Sequence, residues 1–198
     1  MDSPYNGLPP SEWKKRTLEL IEEHPLDPNE IYEVVVKVWN EIFKSEVGRK
    51  PFRIGTDLFP RPQIMGYFLH ELIPLEFAYR YPGIWRREET KDEKDPVYMP
   101  NSAYSIEIKT SSSGRRIFGN RSFAQTGSTA GKSKSGYYLA VNFEKFKLGR
   151  PPKKPSINLV RFGWLDHEDW IGQIAASGQQ ARLPADVEQY KLLTLPLD

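Results

Sequence analysis

The sequence predicts an α/β domain with a mixed β-sheet of about five or six strands flanked by helices. Three observations support this fold class. Apolar residues recur at helical spacing through the first 80 residues, an alternating strand pattern begins at Tyr104, and two dense apolar runs occupy residues 137–143 and 157–164. The chain of 198 residues has the length of one domain with one hydrophobic core, so residues 1–198 are expected to form a single domain.

The N-terminal part of the chain is predicted to contain three helices. Residues 1–10 are rich in proline and lack periodicity, so we expect a loose N-terminal arm. Capping residues begin two helices, over residues 11–23 and 27–44, which we interpret as core scaffold or as a dimer surface. A third helix, over residues 63–79, carries a buried apolar stripe, and we expect its His70 to be structural.

A strand pattern in the middle of the chain brings three charged residues together. Polar and apolar side chains alternate there with the period of a half-buried strand, so Glu107 and Lys109 point in the same direction. Turn residues at 99–102 predict that this strand folds back antiparallel on a short strand before it. Such a hairpin places Asp95 next to Ile106 or Glu107.

The pair of Asp95 and Glu107 predicts a metal site, because two carboxylates that face each other repel unless a cation lies between them. Mg²⁺ in proteins is usually held by one or two carboxylates, with waters and substrate phosphate as further ligands. We therefore expect Asp95 and Glu107 to hold Mg²⁺, with the carbonyl of Ile108 as another oxygen. Lys109 is expected to orient or help deprotonate an attacking water.

The same residues allow a simpler interpretation. Glu107 and Lys109 can form a solvated salt bridge on an edge strand, with Asp95 as a polar residue at the start of a strand. A Glu-x-Lys tripeptide is common by chance. The aspartate at hairpin spacing before it, and the polar run after it, favour the catalytic interpretation.

Asp95, followed twelve residues later by Glu107-x-Lys109 at the end of a hydrophobic strand, resembles the PD-(D/E)xK signature of type II restriction endonucleases. The sequence departs from the signature at one position. The signature has a proline directly before the acid, whereas this chain has Lys94 there. More narrowly, three segments resemble the ScaI-type restriction enzymes, over nearly the whole chain from about residue 15 to 195. They are residues 110–113, 118–122 and 162–167.

The resemblance implies a restriction-endonuclease-like core and Mg²⁺-dependent cleavage of double-stranded DNA. It also implies that a glutamate from the helix before the hairpin joins or supports the metal, and Glu71 is the candidate by position. The alternative for Glu71 is a charge on the helix surface. A homodimer is expected, because a symmetric partner is the simplest way to read a palindrome and cut both strands.

The polar segment after the strand is predicted to contact DNA. Arginine, asparagine and glutamine read bases in the major groove, and lysines in a small-residue frame suit phosphates. The base-reading candidates are Arg115, Arg116, Asn120, Arg121 and Gln125, and the phosphate candidates are Lys132 and Lys134. A later polar loop, residues 177–182, carries similar side chains. The competing interpretation is a mobile loop without a role in binding.

The last third of the chain is predicted to supply the rest of the sheet. The runs 137–143 and 157–164 are apolar enough to be central strands covered on both sides. Asp166 is expected to cap a short helix to about residue 174, and residues 190–195 to form a closing strand.

Composition narrows the classes of function. Without cysteine, the chain has no disulfide, thiol nucleophile or cysteine-type zinc site, and its three histidines argue against a histidine metal cage. The net charge is only +2, but residues 115–154 are strongly basic, which indicates a face that binds a polyanion. No apolar run approaches the ~20 residues of a membrane span and no signal-peptide pattern is present, so we expect the cytoplasm and no membrane partner.

These observations together predict a Mg²⁺-dependent type II restriction endonuclease. Two alternatives stay open. A structure-specific nuclease with the same motif, such as a junction resolvase or repair nuclease, would cut according to DNA shape. A non-enzymatic DNA-binding protein would carry Glu107 and Lys109 as a salt bridge only.

Overall fold

The computed structural model describes residues 2–124, 133–147, 149, 153–174 and 178–197. The α-helices are α1 (Pro10–Glu22), α2 (Pro28–Ile42), α3 (Pro62–Arg80) and α4 (Ala185–Tyr190). The strands are β1 (Glu46–Val47), β2 (Phe52–Arg53), β3 (Trp85–Arg87), β4 (Pro96–Tyr98), β5 (Ile106–Ser111), β6 (Phe118–Asn120), β7 (Gly136–Phe143), β8 (Ile157–Leu165), β9 (Ile171–Gly172), β10 (Gln180–Arg182) and β11 (Leu192–Leu195). Short 3₁₀ turns cover Ser102–Tyr104, Arg121–Ala124 and His167–Asp169.

Within the described residues, the main sheet has four strands in the order β11-β8-β7-β5. Strand β8 pairs antiparallel with β11 and β7, whereas β5 pairs parallel with β7, so the sheet is mixed. The predicted fold class is confirmed, and the two dense apolar runs are the central strands β7 and β8. The main sheet is smaller than expected because other strands form the small sheets β6-β10-β9, β3-β4 and β1-β2.

The main sheet has two faces of different chemistry, because side chains alternate along each strand. We call one the helix face, since its apolar side chains pack beneath α1, α2 and α3; it includes Ile106, Ile108, Leu139, Val141 and Phe162. We call the other the polar face; it includes Glu107, Lys109, Tyr138, Asn142 and Arg161. A smaller apolar cluster, which contains Trp170 and Leu192, also packs on the polar face.

Local sequence signals explain how the helices reach the helix face. Helix α2 begins where the Asp27 side chain accepts the N–H of Asn29 at 2.7 Å, next to a proline in the first turn. Helix α3 packs close to β5 because Gly66 has no side chain, and a Cβ there would lie 2.5 Å from Thr110 Oγ1. No helix in the described part of the chain is long and apolar enough to cross a membrane.

The predicted hairpin between residues 95–98 and β5 is wrong. Strand β4 pairs antiparallel with β3 instead, and the 3₁₀ turn Ser102–Tyr104 separates β4 from β5. The Asn101 side chain accepts an N–H of this turn at 3.1 Å, which favours the 3₁₀ conformation over a tight β-turn. Ser105 Oγ then accepts the Tyr98 N–H at 3.0 Å, where a hairpin would have a backbone bond.

The N-terminal arm is not loose, because Tyr5 is buried in the main core. The Tyr5 hydroxyl lies 2.9 Å from Thr17 Oγ1, and Ser3 Oγ donates to Asp166 Oδ2 at 2.7 Å. Lys191 Nζ lies 4.2 Å from the centroid of the Tyr5 ring, so a cation–π contact adds to the burial. A single aromatic anchor thus orders a segment whose proline content predicted an arm.

The predicted helix after Asp166 is also wrong, because only the 3₁₀ turn His167–Asp169 forms before β9. Asp169 Oδ2 accepts the Asp166 N–H at 2.7 Å and closes this turn. Lys191 Nζ lies 2.8 Å from Asp169 Oδ1 and 3.2 Å from Asp166 Oδ2. The turn therefore belongs to a buried ion-pair cluster that connects the end of β8 with the start of β11.

Candidate active site

Asp95 lies just before β4 and at the open edge of β5. Its Oδ2 accepts the N–H of Ile108 at 2.6 Å, and the residue is 8% exposed. Because β5 pairs with β7 on its other side, this bond shows that the Ile108 amide points to the open edge of the sheet. The N–H and C=O of one strand residue point in the same direction, so the Ile108 carbonyl is directed to that edge as well.

Glu107 and Lys109 lie together on the polar face, as the alternation predicted. Lys109 Nζ donates to Glu107 Oε1 at 2.5 Å, and the side chains are 13% and 5% exposed respectively. Lys109 Nζ also lies 4.4 Å from the centroid of the Phe123 ring. Asp95 is one residue further along β5 than the hairpin predicted, at Ile108 rather than at Ile106 or Glu107.

The donor atoms at this edge fit a hard divalent cation. Asp95 and Glu107 offer carboxylate oxygens, and Ile108 offers a carbonyl oxygen. In the described part of the chain, no cluster of three or more acidic, histidine or cysteine side chains could hold a metal. Two carboxylates and one carbonyl are oxygen ligands of the kind that a hard divalent cation takes, with water and substrate phosphate as further ligands.

Helix α3 contributes His70 to this site. His70 Nδ1 lies 3.3 Å from Asp95 Oδ1, whereas Glu71 Oε2 lies 3.6 Å from Arg87 Nη1. The phase of the helix explains the difference, because Glu71 is roughly opposite the buried stripe of α3 and His70 lies beside it. The spacing of apolar residues in the sequence did not reveal this rotation, because Ile64 and Leu75 are exposed in the structure.

Lys94 is buried at the base of the polar face, at the place where the resembled signature has its proline. Its Nζ lies 5.1 Å from the centroid of the Tyr138 ring. Gly136 makes room for it, since a Cβ there would lie 2.6 Å from Lys94 Nζ. Burial raises the pKa of Tyr138 well above its ordinary value, with the charge of Glu107 acting in the same direction, so the hydroxyl stays protonated.

Buried side chains of the polar face hold the segment that follows β5. Asn142 Nδ2 donates to the carbonyls of Ser113 and Arg116, both at 3.0 Å, and Arg161 donates to the carbonyl of Arg115. Burial lowers the pKa of Arg161 despite the nearby Glu188, whose Oε2 lies 3.6 Å away. The segment is therefore fixed through its backbone, while the Arg115 and Arg116 side chains are exposed.

The other predicted DNA-contact residues lie in or near the small sheet β6-β10-β9. Asn120 is exposed on β6, and Arg121 is half-buried, with its Nη1 donating to the Gly178 carbonyl at 3.3 Å. The Lys134 ammonium contacts the Ser122 carbonyl. Gln125 and Lys132 lie outside the described residues.

The predicted polar loop at residues 177–182 is partly a strand. Residues Gln180–Arg182 form β10, which pairs antiparallel with β6 and β9. Its register places Gln180 opposite Asn120 and Arg182 opposite Phe118. Two segments that are about 60 residues apart in the chain therefore share one small sheet, a pairing that their polar composition did not predict.

A cleft of about 710 Å³ lies between α3, the end of β5 and this small sheet, and His70 is the residue through which it borders the carboxylate site. Its walls are formed by the first half of α3, the end of β5 and the serines after it, and the exposed side of β6 and β10. The lining residues include Gln63, Tyr67, His70, Ser111, Ser112, Phe118 and Gln180. The cleft thus reaches from His70, the neighbour of Asp95, to the exposed amide of Gln180.

Comparisons with known proteins match nearly the whole chain. The family model described as ScaI restriction endonuclease matches residues 3–196. The type II restriction enzyme ScaI of Streptomyces caespitosus is 47% identical over 195 residues, which cover 98% of this chain and 85% of that protein. No solved structure shows a significant match.

Proposed function

This chain belongs to the ScaI restriction endonuclease family and is a type II restriction endonuclease, and we propose that Asp95, Glu107 and Lys109 carry out its reaction. Such an enzyme hydrolyses phosphodiester bonds of DNA at a specific site. The observation that supports these residues most directly is the hydrogen bond from the Ile108 N–H to Asp95 Oδ2, at 2.6 Å. It holds one carboxylate beside the strand that carries the other.

We propose that Asp95 and Glu107 hold a Mg²⁺ ion together with the Ile108 carbonyl. When bound, the ion would supply Lewis-acid stabilisation of the charge on the phosphate. The chain itself fixes the two carboxylates, Asp95 through the Ile108 amide and His70, and Glu107 through Lys109. Because both are already oriented, little ordering is required when DNA binds.

The two neighbouring residues of α3 have different proposed roles. His70 positions Asp95, since its ring nitrogen lies 3.3 Å from the carboxylate. Glu71, the candidate metal helper, would reach the ion only by leaving its contact with Arg87.

Lys109 is proposed to orient the attacking water and to offset negative charge on the phosphate. Its ammonium group is held by Glu107 Oε1 and by the face of the Phe123 ring. These two contacts restrict a long, flexible side chain to the polar face, which reduces the entropy cost of using it in the reaction.

DNA is proposed to lie along the cleft between α3 and the small sheet. The hydroxyl groups of residues 111–113 suit phosphates there. The base-reading candidates stay Arg115, Arg116, Asn120, Arg121 and Gln125, with Lys132 and Lys134 on phosphates. The fixed backbone of residues 113–117 supports this proposal, because it holds the two arginine side chains at a defined place on the surface.

We propose that the enzyme acts as a homodimer on a short palindromic site. Two-fold symmetry gives each DNA strand its own active site and each half-site its own reading surface. The cytoplasm is the expected location, because the DNA substrate would be met there.

The test of the catalytic residues is cleavage of a plasmid of known sequence with Mg²⁺ or with EDTA. Wild-type protein should give discrete fragments only with Mg²⁺, whereas Asp95→Asn and Lys109→Met should leave the plasmid intact. Asp92→Asn is the matched control, since Asp92 is an exposed acid three residues before Asp95, and it should cut normally.

Three other outcomes would contradict the proposal. Cleavage by Asp95→Asn at the wild-type rate would show that Asp95 has no role in catalysis. Metal-dependent cutting only at branched DNA would indicate a structure-specific nuclease. A gel shift that persists in EDTA, without cleavage under any condition, would indicate a DNA-binding protein.

A further inference from the structure

The small sheet β6-β10-β9 has one buried side and one exposed side. On the buried side, Ala181 belongs to the apolar cluster of the polar face, and a Cβ on Gly119 would lie 3.1 Å from the Trp170 ring. The exposed side carries Phe118 and Asn120 from β6, Gln180 and Arg182 from β10, and Ile171 from β9. Because successive side chains of a strand point to opposite faces, two amides, a guanidinium and two apolar side chains lie on the exposed side.

We infer that Gln180 is a specificity-determining residue that reads DNA bases together with Asn120. The inference rests on the proposed position of DNA along the cleft. The two residues are directly opposite in the antiparallel register, which places their Cβ atoms about 5 Å apart. Stacked base pairs are separated by about 3.4 Å. Two amides at this spacing reach the same base pair or two adjacent ones.

The chemistry of the exposed side matches the major groove. A two-stranded β-ribbon fits into that groove, and asparagine or glutamine forms a bidentate pair with adenine N6 and N7. Phe118 is 37% exposed and adjoins these amides, where it suits the methyl group of thymine. The predicted target of the Asn120 and Gln180 pair is therefore an A·T base pair within the recognition site.

The cleft is lined both by this reading surface and by His70, the neighbour of Asp95. Gln180, Phe118 and the end of β5 form its walls together with α3. A DNA segment bound in the cleft would therefore present a phosphodiester to Asp95 and a base edge to Gln180 at the same time. Recognition of the base and alignment of the bond to be cut follow from one binding event.

The test measures kcat/KM on a short duplex that contains the site mapped with wild-type enzyme, and on the duplexes with each base pair replaced. Gln180→Ala and Asn120→Ala should lower cleavage of the correct site about 10- to 100-fold. They should also reduce the preference at one A·T position while preferences elsewhere persist. Asn29→Ala is the matched control, because Asn29 is exposed on α2 near the opposite end of α3.

A base analogue separates base reading from an indirect structural effect. Replacing the target adenine with 7-deazaadenine removes N7, so wild-type cleavage should fall about 10-fold. Gln180→Ala should show a smaller further loss on that duplex than on the natural duplex if it reads the base, because only the contact to N6 is left to lose. A uniform loss on all duplexes, or unchanged preferences, would overturn the inference. Each preference is the ratio of the kcat/KM values of one enzyme on two duplexes. It therefore tests base reading separately from the proposed catalytic role of Asp95.

Discussion

The helix face and the polar face of the main sheet belong to the same strands but are held in place by different interactions. On the helix face, Ile108 and Phe162 are fully buried among apolar side chains. On the polar face, Glu107 and Arg161 are just as buried, but each depends on charged or hydrogen-bonding partners. Adjacent residues of one strand therefore serve stability in one case and chemistry in the other.

This difference determines how substitutions should act. Apolar packing is non-directional, so its loss lowers the free energy of unfolding without changing the site. Polar contacts are directional, so their loss misplaces particular groups. The comparison can be tested with variants of neighbouring or equivalent residues on the two faces.

The largest effect is expected from Glu107→Gln on the polar face. The change keeps the size of the side chain but removes the charge that holds Lys109 and, by our proposal, the metal ion. Cleavage should fall at least about 100-fold, while the melting temperature changes little. Single-turnover cleavage and thermal unfolding measure the two effects. Cleavage by this variant at the wild-type rate would show that catalysis does not depend on the polar face.

The next largest effect is expected from Ile108→Ala on the helix face, one residue further along β5. Removal of a fully buried side chain should lower the free energy of unfolding by about 2–5 kcal/mol. Urea titration measures this loss. The protein that stays folded should still cleave DNA, and a stable but inactive variant would contradict the division between the faces.

His24 should make the helix face sensitive to acid. Burial lowers its pKa to about 4, and its ring nitrogens contact the Leu26 N–H and the Tyr104 carbonyl. The unfolded residue titrates near 6.5, so the unfolded chain binds more protons between these values. The stability present above pH 6.5 is therefore lost as the pH falls towards 4, by about 2–3 kcal/mol.

Urea titrations at pH 7.5 and 4.5 measure this effect in wild type and in His24→Leu. The variant should lose less stability between the two pH values, because it lacks the group that must be kept neutral. An equal loss in both proteins would assign the acid sensitivity to carboxylates elsewhere in the chain.

The smallest effect is expected from Asn142→Leu on the polar face. It leaves the carbonyls of Ser113 and Arg116 without their side-chain donor, which should cost about 1–3 kcal/mol. DNA affinity should also fall, because the backbone that carries the two arginines is less well fixed. Urea titration and gel shifts in EDTA measure both, with Asn29→Leu as the exposed control.

Much of the fold was predictable because its signals are local. Helices α1, α2 and α3 follow apolar spacing, α2 begins at its capping Asp27, and the central strands β7 and β8 follow dense apolar runs. The cap expected at residue 11 does not form, because α1 begins at Pro10 and has no side-chain cap. The alternation in β5 predicted that Glu107 and Lys109 share a face. Errors arose where the outcome depends on partners distant in sequence, as when β4 pairs with β3 and Tyr5 anchors the N-terminal arm.

The types of residue at the candidate site were predictable, but the contacts that hold them in place were not. The alternation of polar and apolar residues in β5, and the number of residues between Asp95 and Glu107, predicted that Asp95 lies near β5. The contact with His70 depends instead on how α3 is rotated over the sheet. The pairing of Asn120 with Gln180 depends on a strand formed about 60 residues later in the chain. Register between such segments is set by packing against the core, which their polar composition does not reveal.

The hydrogen bond between Asp95 and the Ile108 amide has a further consequence for solubility. In the described part of the chain, β5 is an edge strand of the main sheet, and an open edge offers its amides to strands of other molecules. A carboxylate bound to the edge amide fills that position and adds a charge that opposes intermolecular strand pairing. Asp95→Ala should therefore aggregate more readily than Asp95→Asn, whose side chain can still accept the bond.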